Sequence, residues 1–470
     1  MQSPADNLTE FSEGLLKKHF QPTALILRFR EKKKSLGRGV DRISADVFEK
    51  KLSIEVSLIS KKGISGEYKF SPYLEMLVTK GRGRAPRQIA KPTVRDKLAL
   101  GALKDVLHEA LPGDVPRELP NQVIRKLLVV LNAHPGAIVI KADIRSFYDK
   151  IPRDALCAKL ADRLGGENRV VGFVRSAISG SIVPFGHKRA EVSRHTITEG
   201  VPQGLPISNF LANLYLSDFD ADLSLRCLGY TRYVDDIAMV VDSGDDADAK
   251  IGAVRSELLA RGLEVSEEKT RPYRYDEPFE YLGYEIRKGK ARPRKSSVEK
   301  FLRSVASLFA ALRYKRFHGR VSMESWSDEE FAWLFIHELN EKITGAISGH
   351  RQYGWVFYFN ESTDLTGFAE VDAIIKKMAW KTDLLTNTMR RSIKSTLTAY
   401  HKSKGSKTSG YIWNYEDAEN VADKRKFIMK LGYASEDQLT GRSDQYIEEI
   451  YRGIVDRRLR NLDRDVGLVS

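Results

Sequence analysis

The run Gly229–Asp242, GYTRYVDDIAMVVD, decides how this chain is read. Two adjacent carboxylates, Asp235 and Asp236, interrupt a stretch that is otherwise apolar and β-branched. Strands of that composition bury their apolar side chains, and an ionised carboxylate is costly to bury without a compensating charge. A tight turn at the pair brings both acids to the tip of a hairpin, where divalent cations supply the missing charge. Mg²⁺ suits that role because it prefers hard oxygen ligands. The chain holds a second such pair, Asp245-Asp246, in a Gly-flanked polar turn, and that one reads as solvated loop.

Neighbouring ligands alone rarely complete an octahedral set, so a metal site at the hairpin needs a carboxylate from another strand. Asp143 is the best candidate, because it ends a second short apolar run, GAIVIKADI at 136–144. Two ions about 4 Å apart would activate a hydroxyl and stabilise the leaving oxygen of an in-line phosphoryl displacement.

The rest of the chain is compatible with such chemistry. Of 470 residues, 42% are hydrophobic and 30% charged, which fits a folded protein of several domains. Lys and Arg number 77 against 63 Asp and Glu, a formal charge of +14 that points to a polyanionic partner. Two cysteines, Cys157 and Cys227, are too few for a disulfide scaffold or a zinc module. The first twenty residues lack a signal-peptide core, and no apolar run reaches the roughly 20 residues that span a bilayer. A cytoplasmic protein with no membrane partner is expected.

Strands and helices alternate without the regular period of a doubly wound sheet, so the expected class is α+β. YLEMLVTK and RQIAKP, around a basic Gly-rich turn GRGRAP, give a hairpin-like reading from Tyr73 to Leu98. TVRDKLALGALKDVLHEAL reads as a helix, and SNFLANLYLSDFDADL (208–223) as another with Ser208 or Asn209 as cap. FEYLGYEI (279–286) reads as one strand. Beyond about residue 290 the pattern is mainly helical, with Ser296 and Glu299 as a capping box before the stripe Val298, Phe301, Val305, Leu308 and Leu312. The loop-like HKSKGSKTSGYIWNY (401–415) sets Lys402, Lys404 and Lys407 beside Tyr411, Trp413 and Tyr415. That mixture suits single-stranded RNA, and a loop beside a small hydrophobic cluster is the alternative.

Seven ordered blocks then resemble the reverse transcriptases. YVDD (233–236) is similar to their Tyr-x-Asp-Asp box, and IKADIRSFYDKIP (140–152) to the block whose Asp binds metal. GVDRISADVFEKKL (39–52) resembles their N-terminal Gly-x-Asp block and RQIAKPTVRDKLAL (87–100) their fingers block. TEGVPQGLPISNFLANLYL (198–216) is close to the Pro-Gln-Gly…Ser block of group II intron and retron enzymes. GLEVSEEKT (262–270) and EYLGYEI (280–286) resemble two later palm blocks, and LNEKITGAISGHRQYGWVFYF (339–359) is a looser thumb-like match.

The resemblance implies a right-hand polymerase, with fingers and palm over 1–290, a helical thumb over 291–390 and a basic C-terminal extension over 391–470. It implies that Asp143, Asp235 and Asp236 hold two Mg²⁺ ions, with Mn²⁺ as a substitute, and that dNTPs are added to a 3′-hydroxyl on an RNA template, giving a DNA product. Tyr148 would exclude a 2′-hydroxyl by its bulk. Gln203 and Gly204 would touch nucleotide and template, while Lys80 and Arg87 hold the triphosphate, with Arg82 and Arg84 as rivals for Lys80. Lys269 would donate a proton to pyrophosphate, or is a solvated helix-end lysine.

RNA-templated RNA polymerases typically carry Gly-Asp-Asp, and an Asp near the position of Tyr148; both features are absent here. Within the reverse transcriptases the chain looks most like the bacterial defence-associated enzymes, which copy a companion non-coding RNA in antiviral defence. The alternatives are a group II intron-like or retron-like enzyme, an untemplated or protein-primed polymerase, and an RNA-binding protein with an inactive polymerase fold.

Overall fold

The structure is a computed structural model that describes residues 4–79, 85–113, 115, 118–186, 199–314, 326–405 and 410–467. Mixed helices and strands give the expected α+β class. The chain divides into two compact units, Met1–Glu118 with Ile138–Pro272, and Leu119–Ala137 with Tyr273–Ser470.

The first unit is built on two small sheets. The expected hairpin forms from β1 (Tyr73–Val78) and β2 (Arg87–Lys91), which pair antiparallel with Val78 opposite Arg87. The second sheet takes in β3 (Ile138–Asp143), and β4 (Ile182–Val183) joins the first, alongside β1. The opening run supplies β5 (Gly229–Tyr233) and β6 (Asp236–Val241), and β7 (Arg271–Tyr273) follows. The second sheet has the order β5-β6-β3-β7, with β6 antiparallel to both β5 and β3. Every residue of β6 from Ile237 to Val241 is buried, so this strand is covered on both faces.

That burial fixes the register. Burying each large side chain among Ile237, Met239, Val240 and Val241 is worth about 1.5–3 kcal/mol, and a one-residue slip would reverse every side chain. The sum outweighs the cost, several kcal/mol per ion, of drawing the carboxylate that opens the strand partly out of water.

Helix Val94–Ala110 starts at Thr93, whose hydroxyl accepts the Asp96 backbone N–H at 3.1 Å. Asp96 itself is buried, accepting from the hydroxyls of Tyr68 (2.8 Å) and Thr93 (2.7 Å) and from the backbone of Ser71 (3.2 Å). The single helix expected over 208–223 is two, Ser208–Tyr215 and Ser217–Leu225. Neither Ser208 nor Asn209 caps the first, because the Ser208 hydroxyl turns back to donate to the Pro202 carbonyl at 2.6 Å. Asp246 of the polar turn caps the next helix, Ala247–Ala260.

In the second unit the expected single strand is a hairpin, β8 (Phe279–Tyr281) and β9 (Tyr284–Arg287), extended by β10 (Lys290–Pro293). Leu282 and Gly283, both at positive φ, make its two-residue turn. A further sheet joins β11 (Ala346–Ser348), β12 (Arg351–Tyr353) and β13 (Trp413–Asn414) in the order β12-β11-β13. Helix Lys295–Arg313 begins one residue before Ser296, with Arg294 at the cap position, so the expected Ser296–Glu299 capping box does not form. A capping box does open helix Asp328–Thr344, from Ser327 and Glu330.

The stretch 401–415 resolves toward its second reading. Tyr415 is buried, its hydroxyl donating to Glu341 and accepting from Arg458. Trp413 packs edge-on to His337 at 4.8 Å, and the Tyr411 hydroxyl accepts the Ser395 N–H at 2.8 Å. Tyr415 and Trp413 belong to a hydrophobic cluster, whereas Tyr411 is half-buried outside it, with the Lys394 ammonium 5.0 Å from its ring centroid; Lys407 lies outside the described residues.

Candidate active site

The three acids meet through the strand register. Asp143 ends β3 and lies opposite Asp236, the first residue of β6, which in turn lies opposite Tyr233 of β5. Asp235 sits in the two-residue turn between β5 and β6, and its carbonyl accepts the Ile144 N–H at 2.9 Å. The sheet thus places all three carboxylate-bearing residues at one end of two neighbouring strands.

The turn is strained. Val234 has φ +60, a region that β-branched residues avoid and that persists only where surroundings over-determine it. Arg232 supplies that support. Its side chain is only 3% exposed and donates to the Val234 carbonyl at 2.7 Å, to Asn213 Oδ1 at 3.1 Å and from Nε to Asp220 Oδ1 at 2.7 Å. Asn213 continues the chain through Asn209 to the Tyr148 hydroxyl, each step 3.4 Å. The residue expected to judge the sugar is therefore linked to the residue that shapes the acidic turn.

Tyr148 lies on a short helix, Phe147–Lys150, entered through Ser146 at φ +48. Its carbonyl accepts the Val201 N–H at 2.7 Å, which clamps the loop holding Gln203 and Gly204. Two glycines are obligatory in that clamp. A Cβ on Gly200 (φ +72) would stand 2.5 Å from the Asp149 carbonyl oxygen, and one on Gly204 (φ +99) 2.6 Å from Ile89 Cγ2. The Gln203 carbonyl accepts from Ala90 of β2 at 2.7 Å, and its amide reaches Asp149 at 3.4 Å. Arg153 adds bonds to the carbonyls of Gly200 (2.7 Å) and Glu199 (3.0 Å).

Electrostatics ties these parts together. Burial and the charge of Asp143 raise the Asp235 carboxyl above its ordinary value, opposed by Lys269 and Arg87. Burial pushes Asp236 up to about 6, against the pull of Lys141. Burial and Asp235 push Tyr148 up to about 12, again opposed by Arg87. Lys269 Nζ lies 2.8 Å from Asp143 Oδ2, and Lys141 Nζ 3.3 Å from Asp236 Oδ1.

Among the described residues, no three His, Cys, Asp or Glu side chains stand close enough, as placed, to hold one ion between them. The donor set nonetheless suits a hard divalent cation: three carboxylates, mutually repelling and partly withdrawn from water, with Lys141, Lys269 and Arg87 as counter-charge. Asp143, Asp235 and Asp236 would hold it.

The structure gathers Asp143, Asp235, Asp236, Tyr148 and Lys269, and Arg87 acts on the same groups from the start of β2. Gln203 and Gly204 lie next to them, on the loop clamped by Tyr148. Lys80 lies outside the described residues, as do Arg82 and Arg84. Sequence reasoning missed Lys141, Arg232, Asp220, Asn209, Asn213 and Arg153. Only Lys141 carried a signal, its i−2 position placing it on the same face of β3 as Asp143.

Residues 79–286 match the family described as reverse transcriptase (RNA-dependent DNA polymerase). The chain carries a reverse transcriptase domain. The domain contains every gathered residue, and with it the protein is an RNA-directed DNA polymerase, a nucleotidyltransferase. Protein YkfC of Escherichia coli (strain K12) is 24% identical over 338 residues, 60% of this chain and 86% of that protein. An uncharacterized 91 kDa protein in cob intron of Schizosaccharomyces pombe is 28% identical over 190 residues, 38% of this chain but only 21% of that protein. Among solved structures, telomerase from Candida albicans with a TWJ fragment of telomeric RNA gives a TM-score of 0.42 at 14% identity, over 76% of this chain and 69% of that one. Apo telomerase from Candida tropicalis gives 0.41 at 16%, over 87% and 74%. At those scores the likeness adds nothing to the sheet order. Among the described residues no helix is long and apolar enough to cross a membrane.

Proposed function

We propose that the reverse transcriptase domain copies RNA with two Mg²⁺ ions held by Asp143, Asp235 and Asp236, and that Mn²⁺ can replace them. The observation that carries this reading is the register that sets Asp143 opposite Asp236 with Asp235 in the adjoining turn. When bound, the ions lower the barrier to attack by a 3′-hydroxyl and neutralise charge on the departing pyrophosphate. Tyr148 blocks a 2′-hydroxyl, Arg87 and Lys80 grip the triphosphate, and Gln203 and Gly204 line the path of nucleotide and template. Lys269, released from Asp143, turns its ammonium to the leaving group.

Fingers and palm over 1–290, a thumb over 291–390 and an extension over 391–470 remain the proposed division. The proposed setting is the cytoplasm, with a cognate non-coding RNA as template and antiviral defence as the role; the low cysteine count supports the first, and the likeness of Tyr-Val-Asp-Asp with the C-terminal extension to defence-associated enzymes supports the others. A relative described as lying in the cob intron favours a second reading, an intron-type enzyme.

Asp235→Asn with Asp236→Asn is expected to abolish Mg²⁺-dependent dNTP incorporation and to leave RNA binding largely intact. Full activity in that double variant would remove the assignment. Sequencing of co-purified nucleic acid separates the settings: a defined RNA with matching DNA supports copying, and homopolymeric DNA supports an untemplated polymerase.

A further inference from the structure

Trp380 ends helix Thr366–Trp380 in the second unit and is 66% exposed. An exposed indole offers a large, rigid flat face on which another ring can stack. Here one face is already taken: the Arg390 guanidinium stands 5.0 Å from the ring centroid. Arg390 is itself pinned, donating to the carbonyls of Ala379 (3.3 Å) and Thr382 (3.1 Å) and to Asn387 Oδ1 (3.1 Å). The ring is therefore backed by a fixed cation while its other face meets solvent.

The surroundings are basic. Lys376 and Lys377 precede Trp380 by four and three residues, which puts them on its side of the helix. Lys381 follows, and Arg391 adjoins Arg390; all four are exposed. Among the described residues none of the four is ion-paired. Glu370, more than two turns back along the helix, and Asp383 are the exposed acids of the segment. An apolar partner would have to desolvate these cations, whereas a phosphate backbone is attracted to them.

We infer that Trp380, backed by Arg390 and flanked by Lys376, Lys377, Lys381 and Arg391, is a stacking platform for an unpaired nucleotide of a single-stranded RNA. It gives the second unit its own hold on RNA, apart from the acids of the reverse transcriptase domain. The inference rests on RNA being a partner, but not on polymerisation.

The test uses the full-length chain in the Asp235→Asn/Asp236→Asn background, titrated with a twelve-nucleotide oligo(A) and with an RNA duplex of equal charge. Trp380→Leu is expected to weaken oligo(A) binding about ten-fold. Trp380→Phe should restore most of that loss, and duplex affinity should not move. Lys376→Gln with Lys377→Gln should weaken both ligands and lower the salt slope. Equal oligo(A) affinity in wild type and Trp380→Leu overturns the inference, as does a Trp380→Leu defect seen only in binding to another protein. Should Trp380→Leu misfold, photo-crosslinking of the wild-type chain to 4-thiouridine RNA decides: adducts within 376–391 support the platform, and adducts confined elsewhere overturn it. Trp380-dependent binding in a wild-type chain that never incorporates dNTPs would keep the platform and remove the proposed function, and the reverse pattern would do the opposite.

Discussion

Arg232 offers the sharpest separation of stability from catalytic placement. Arg232→Met removes a buried guanidinium and leaves Asp220 with the Tyr230 hydroxyl, which donates to it at 2.6 Å, but without its paired cation. Breaking one partner of a buried pair costs about 3–5 kcal/mol, because the remaining charge is uncompensated. Asp220→Asn in the same chain removes that charge, so the double variant should recover most of the loss in urea denaturation. Activity should not follow. Both variants lack the bond to the Val234 carbonyl, and an unsupported turn relieves its strain, about 1–3 kcal/mol, by moving Asp235. A shift near 1 Å in a reacting group costs about 100-fold, so single-turnover dNTP incorporation should fall by that order in both. Activity that returns together with stability would show that Arg232 serves the fold alone, and the argument that it shapes the acidic turn would be wrong.

Two further outcomes are expected. Tyr148→Val should raise rNTP incorporation relative to dNTP incorporation on the same template, measured as a ratio of kcat/KM; unchanged discrimination would place sugar selection elsewhere. Asp96 predicts a pH signature. Burial raises its carboxyl in the folded protein above the unfolded value, so its contribution is fully present below about pH 4 and is lost as pH rises through the folded value. Asp96→Asn puts an N–H₂ against the donors Thr93 and Ser71, and its penalty in urea denaturation should therefore shrink from pH 4 toward neutrality. A penalty that widens over that range would contradict the sign.

The parts of the site legible in sequence were those whose chemistry clashes with their local pattern. Asp235-Asp236 inside a β-branched run and Asp143 at the end of another are misplaced as ordinary surface acids, and the strands around them followed from period and composition. The supports were silent. Arg232, Asp220 and Asn213 each read as an unremarkable polar residue, and Asn209 as a candidate helix cap, because their meaning lies in contacts between two helices and a hairpin that no local pattern encodes. Similar limits explain the corrections. FEYLGYEI has strand composition throughout, yet Leu282-Gly283 turns it into a hairpin. Ser296 and Glu299 have capping spacing, yet the helix starts at Lys295. Tyr411, Trp413 and Tyr415 look like base-stacking residues beside lysines, yet Tyr415 is buried against Glu341 and Arg458 and Trp413 packs into the same cluster.

The claim on which the rest depends is that Asp143, Asp235 and Asp236 share metal ions. Anomalous diffraction from crystals of the protein grown with Mn²⁺ and a non-hydrolysable dNTP measures it directly. Two manganese peaks about 4 Å apart, ligated by those three carboxylates with Lys269 drawn off Asp143, are the expected result. Crystals that hold Mn²⁺ only elsewhere, with Lys141 and Lys269 still seated on Asp236 and Asp143, would contradict it.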